Sequence, residues 1–157
     1  MKPQIGISEE HLKKSISILS STLANEMTLY VKTRKFHWNV SGESFMELHK
    51  LFEAQYNQME VSIDEIAERI NKLGEKTIGT MKEFTELTII KETSNQYPCQ
   101  KEMIQELLGD HETVVIQLRK DIESCADENK DAGTIDFLTK LMEQHETTAW
   151  ILRRYLS

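Results

Sequence analysis

Only two prolines and six glycines interrupt 157 residues, so the backbone is forced to turn in few places. With Leu, Ile, Glu, Lys and Met recurring along the whole chain, that scarcity favours helix and argues against a turn-rich β architecture. Cysteine is equally sparse. Cys99 and Cys125 are too few for a disulfide framework and too far apart for a CxxC site, and are read as incidental reduced thiols. No stretch approaches the ~18 successive apolar residues of a membrane span, and the opening residues MKPQIGISEEH lack the apolar segment of a secretory signal. A cytoplasmic protein with no membrane partner is expected. Positive charge is also in short supply: 19 Lys and Arg against 26 Asp and Glu give a net charge of -7. Such a surface repels phosphate backbones, so nucleic-acid binding would need a local basic patch or a bridging cation, whereas metal cations are attracted.

What is present is helical periodicity. From about residue 8 to 36, Ile16, Leu19, Leu23, Met27 and Tyr30 step by three or four, with Ser8 as a candidate cap. The pattern stops in HWNVSGES. A second helix from about 44 to 73 carries Leu48, Phe52, Met59, Ile63, Ile66 and Ile70 and ends at Gly74. Residues 75 to 97 are less regular, although Phe84 and Leu87 allow a short helical piece from Lys82 to Leu87. A third helix begins near Pro98 or Lys101 and runs to Cys125, where the polar run ADENKDAG follows. The fourth occupies about 131 to 155. At 39% hydrophobic residues the chain has enough apolar content for one core and no sign of a second, so 1–157 is read as one domain.

The three connections are short, long and short. Short links make antiparallel neighbours, and a long link between the second and third helices is a crossover that an up-down-up-down bundle does not need. The expected fold is therefore all-α, a ferritin-like four-helix bundle whose crossover carries a possible short helix.

A di-iron bundle of the familiar kind uses Glu-x-x-His on two of its helices. None of the 20 Glu here is followed by His three residues later. The candidate ligands cluster instead in the first two helices: His37, then His49 and Glu53, then Asp64 and Glu68. His49 and Glu53 share a helix face, as do Asp64 and Glu68. His49 and Asp64 are 15 positions apart, or about 22 Å on one helix, whereas ligands to one ion meet within about 5 Å. One chain cannot close such a site, but two chains packed about a two-fold axis can build two copies. The residues alone leave a plainer reading open, with His37 at a helix end, His49 on the surface and the carboxylates merely solvated. His111 and His145 fall on apolar stripes, where hydrogen-bonded core residues are expected. Arg153 and Arg154 suit the last turn of a helix.

The stretch from Lys35 to Ile70, KFHWNVSGESFMELHKLFEAQYNQMEVSIDEIAERI, resembles the signature region of the Dps mini-ferritins, the DNA-binding proteins from starved cells. The likeness continues through LLGDHE, ADENKDAGT and HETTAWILRRYL. It implies a homo-dodecameric shell built from two-fold dimers, which oxidises Fe(II) with hydrogen peroxide, or more slowly with oxygen. Storage of the Fe(III) mineral inside the shell would protect against oxidative damage. It assigns His37, His49 and Glu53 of one chain and Asp64 and Glu68 of its mate to a ferroxidase centre holding up to two irons. Glu53 stands where Asp is common, and Trp38 is either a packing residue or a sink for stray oxidant. Asp127, Glu128, Asp131 and Asp136 correspond to the region lining three-fold iron-entry pores. The family name also raises DNA compaction. The first ten residues contain one Lys, so direct DNA binding is expected to be weak or absent, or bridged by cations. A helical interaction module without metal is the remaining alternative.

Overall fold

The computed structural model describes residues 3–157, apart from the side chains of Glu128 and Asn129. Five α-helices follow in order: α1 (Glu9–Asn39), α2 (Phe45–Lys72), the short α3 (Met81–Leu87), α4 (Gln100–Ser124) and α5 (Ala132–Tyr155). The pairs α1–α2 and α4–α5 are antiparallel hairpins, and the crossover carrying α3 joins them into one ferritin-like bundle. No helix among the described residues is long and apolar enough to cross a membrane.

Local chemistry sets the boundaries. The Ser8 hydroxyl accepts the His11 amide at 3.3 Å and starts α1, satisfying one of the donors a helix start leaves without a partner. The helix runs a turn past the expected Phe36, because the Val40 amide still bonds the Phe36 carbonyl at 2.8 Å; His37 and Trp38 are thus helical. At the other end of α2, Gly74 adopts φ +101°, its amide bonds Asn71 O, and the Glu75 amide bonds Ile70 O. This paired closure needs a left-handed residue, and a Cβ on Gly74 would lie 2.6 Å from the Pro3 side chain. The polar run after α4 is partly wound: Cys125–Asn129 form a π turn continuing α4, ended by Lys130 at φ +53°.

Leu19, Leu23 and Phe36 from α1 meet Phe52, Ile66 and Ile70 from α2, with Leu107 and Leu118 from α4 and Leu138 and Leu152 from α5. Each fully buried side chain of this size contributes about 1.5–3 kcal/mol relative to exposure. The crossover is tied down by α1. Asn25 Oδ1 accepts the Ile89 amide at 2.9 Å and the Thr88 hydroxyl at 3.2 Å, while Phe84 and Ile90 are buried. Buried Lys32 donates to Asp110 at 2.6 Å and to the Lys91 carbonyl at 2.9 Å, linking α1, α4 and the crossover.

Candidate metal centre

The α1–α2 turn brings His37 and His49 together. His37 lies in the last turn of α1, where carbonyls have no partner within the helix, and His49 Nδ1–H donates to the His37 carbonyl at 2.9 Å. His37 Nδ1–H returns a bond to the His49 carbonyl at 2.8 Å. The two rings stack with centroids 3.7 Å apart and 21° between planes. A carbonyl only accepts, so each ring carries its proton on Nδ1, and in the neutral imidazole the Nε2 lone pair is left free. That is how a ligating histidine is oriented by the bond at its other nitrogen. Tyr56 sits edge-on to His37 at 5.2 Å, and Phe45 lies 5.2 Å from His49.

Glu53 is exposed one turn beyond His49 on α2. Asp64 and Glu68 are exposed on the same unbroken helix, further along by the spacing that separates them by about 22 Å. Glu68 accepts from Lys72 at 3.0 Å, an exposed pair that a cation would readily replace. One chain therefore joins the two histidines, keeps Glu53 beside them and leaves Asp64 and Glu68 apart. Among the described residues, no three of His, Cys, Asp or Glu in one chain are placed to hold a metal ion.

Trp38 is 64% exposed and lies 5.6 Å from the Arg34 guanidinium, which also covers the Tyr56 ring at 4.6 Å and donates to the Tyr30 hydroxyl. Sequence reasoning passed over this Tyr30–Arg34–Tyr56 group, although Tyr30 and Arg34 are four apart and so share a helix face. Phe52, Tyr56, Met59, Ile66 and Ile70 of α2 face inward as core residues. Phe45, Met46, Val61 and Trp38 remain exposed in the single chain.

The pore candidates divide. Asp127 is exposed, and Asp136 is exposed and accepts from Lys140 at 2.7 Å. Glu128 lies outside the described side chains. Asp131 departs from the pore expectation because it is 2% exposed and engaged within the bundle. It caps α5 by accepting the Thr134 amide at 3.0 Å and the Thr134 hydroxyl at 2.5 Å, and it accepts Arg69 Nη2 at 3.1 Å. Burial pushes its carboxyl up, but the Thr134 bonds and the Arg69 guanidinium outweigh that and hold it below the usual range.

A family model described as a ferritin-like domain matches residues 16–157, so the helix order and the sequence define the same class. The chain is 41% identical over 152 residues to an uncharacterized low temperature-induced protein of Nostoc sp., covering 97% of this chain and 85% of that one. It is 35% identical to DNA protection during starvation protein 2 of Bacillus anthracis, covering 92% and 98% of the two chains. The crystal structure of the DPS protein from Vibrio cholerae O1, described as a member of a broad superfamily of ferritin-like diiron-carboxylate proteins, superposes with a TM-score of 0.92 at 29% identity over 99% and 97% of the two chains. Within the ferritin-like class, the chain belongs to the Dps family of mini-ferritins.

Proposed function

We propose that this protein is a ferroxidase and iron store whose Fe(II) substrate binds between two chains. The reading is carried by the reciprocal His37–His49 lock, which frees two Nε2 donors beside Glu53 and leaves the carboxylates of Asp64 and Glu68 at the other end of the same exposed helix. A two-fold axis through this face sets the two halves against each other and covers Phe45, Met46 and Trp38. The neutral nitrogens hold Fe(II) without overcharging the site, and the hard carboxylate oxygens favour the Fe(III) product. Two Fe(II) give one electron each to hydrogen peroxide, which with two protons yields two waters. Paired removal of electrons avoids free hydroxyl radical, and Trp38 stands where it can intercept stray oxidant. The same centre would act more slowly with oxygen, and the Fe(III) collects inside a shell of twelve chains.

Asp136 and Asp127 are the pore carboxylates in this reading, drawing cations inward around a three-fold axis. The relatives' name speaks of DNA protection. Removal of Fe(II) and peroxide protects DNA without contact, which suits a chain of net charge -7.

Complementary half-sites test the shared centre. A His49→Ala,Glu53→Ala chain and an Asp64→Ala,Glu68→Ala chain should each assemble yet lose most rapid Fe(II) oxidation. In a mixed dimer one site collects both damaged halves and the other both intact halves. Co-assembly should restore about half of wild-type activity per mixed dimer, or about one quarter overall with random pairing. The readout is the initial rate with limiting hydrogen peroxide, in mixed shells verified by native mass spectrometry. Verified mixed dimers without rescue would rule out the shared centre.

A further inference from the structure

Glu26, His111 and His145 form a hydrogen-bonded chain at the centre of the bundle that the inter-subunit centre does not use. Glu26 lies on α1 with no exposure, and His111 on α4 and His145 on α5 are 2% and 3% exposed. His145 Nε2 is 2.6 Å from Glu26 Oε1, and His145 Nδ1 is 2.8 Å from His111 Nδ1. With His145 neutral, its Nε2–H donates to Glu26 and its Nδ1 accepts from His111 Nδ1–H, an arrangement that leaves a lone pair on His111 Nε2. Burial, and then the neighbouring His145, holds His111 well below the usual histidine range.

Four buried polar atoms here have no hydrogen-bond partner among the described residues: Glu26 Oε2, His111 Nε2, and Oε1 and Nε2 of Gln55. Their three residues line one cavity of about 10 Å³, close to the volume one water-sized occupant needs. No Lys or Arg lines it.

We propose that this cavity binds one first-row divalent cation through Glu26 Oε2, His111 Nε2 and Gln55 Oε1. A water there would satisfy the orphaned atoms but leave the fully buried Glu26 carboxylate with His145, charged only when protonated, as its balancing partner, which is costly in a low-dielectric interior. A divalent ion supplies that charge, and one carboxylate, one imidazole and one amide oxygen form a mixed donor set suited to Fe(II), Co(II) or Zn(II). The bonds from His111 to His145 and from His145 to Glu26 orient the ligating ring and carboxylate, as bonds behind a metal ligand do. The set emerges only when an amide oxygen is counted beside Glu and His. It belongs to one chain and lies about 16 Å along α1 from His37, so it stands apart from the shared ferroxidase centre.

The experiment uses the assembled full-length protein carrying Asp64→Ala,Glu68→Ala, which removes the carboxylate half of the proposed shared site, and Co(II) as the probe. Crystals soaked in Co(II) should show one anomalous peak per chain in the bundle core, within about 2.3 Å of His111 Nε2. Adding Glu26→Gln keeps the side-chain volume and an acceptor for His145, and should abolish the peak and weaken Co(II) binding at least ten-fold by visible absorption. Gln55→Leu is the second variant and should weaken binding without breaking the His–His–Glu chain. Water or empty space in the core beside Co(II) bound elsewhere would overturn the proposal, as would a core peak of equal affinity in Glu26→Gln. Failure of the shared-centre reading is separately visible, as wild-type crystals with Co(II) in the core and none at His37.

Discussion

Asp131 shows what a single side chain does when burial and hydrogen bonding oppose each other. Its carboxylate serves both the start of α5 and Arg69 of α2, so Asp131→Ala removes a cap and strands a guanidinium. A loss of about 2–4 kcal/mol is expected from urea unfolding at neutral pH. The folded carboxyl lies below its unfolded value of about 3.9, so its stabilisation is fully present above that value and disappears as pH falls through the lower, folded pKa. The gap between wild type and Asp131→Asn should therefore be wide at pH 7 and shrink on acidification below about pH 4. A gap that stays constant down to pH 2 would mean that the ionised form is not what Thr134 and Arg69 hold.

At the scale of elements, the crossover is held by few groups, and α3 has only seven residues. Its start depends on a reciprocal cap: Thr80 Oγ1 accepts the Glu83 amide at 3.3 Å, and Glu83 Oε2 accepts the Thr80 amide at 2.8 Å. The Gly79 amide, and then the Thr80 hydroxyl and amide, hold the Glu83 carboxyl below its usual range. Thr80→Ala should cost α3 about 1 kcal/mol. Hydrogen–deuterium exchange over residues 80–88 should then quicken about five-fold, with α1 unchanged. Equal protection in the variant would show that Phe84 and the Asn25 bonds hold the segment alone.

For the whole molecule, the proposed shared centre requires a second chain across the face that carries it. Twelve chains of 18.3 kDa make a particle of about 220 kDa, the mass expected from light scattering at neutral pH and micromolar protein. Monomers alone under those conditions would contradict the shell. The same particle should leave duplex DNA unshifted at about 0.15 M salt without divalent cations, because the charge of -7 repeats with every chain. Tight binding that weakens steeply with salt would reveal a basic patch assembled between chains.

The helices and their order were legible in the sequence, since a 3.6-residue period with few Gly or Pro leaves little else for such a chain to form. Gly74 and Ser8 marked ends for local reasons, and the 23-residue link from 75 to 97 implied a crossover. The Lys35–Ile70 stretch carried the family. Other features depend on which residues from distant helices meet. Asp131 is a pore candidate by sequence, and only the bundle places Arg69 against it. Glu26 interrupts an apolar stripe, a signal present in the sequence, but only the packing of α1 on α5 gives it His145 as a partner. The His37–His49 lock was suggested by proximity across a short turn, yet the Nδ1 bonds that free both Nε2 atoms are a matter of ring orientation. Periodicity records which side of a helix is apolar, whereas hydrogen-bond direction, burial of a charge and the protonated nitrogen are set by neighbours far away in the chain.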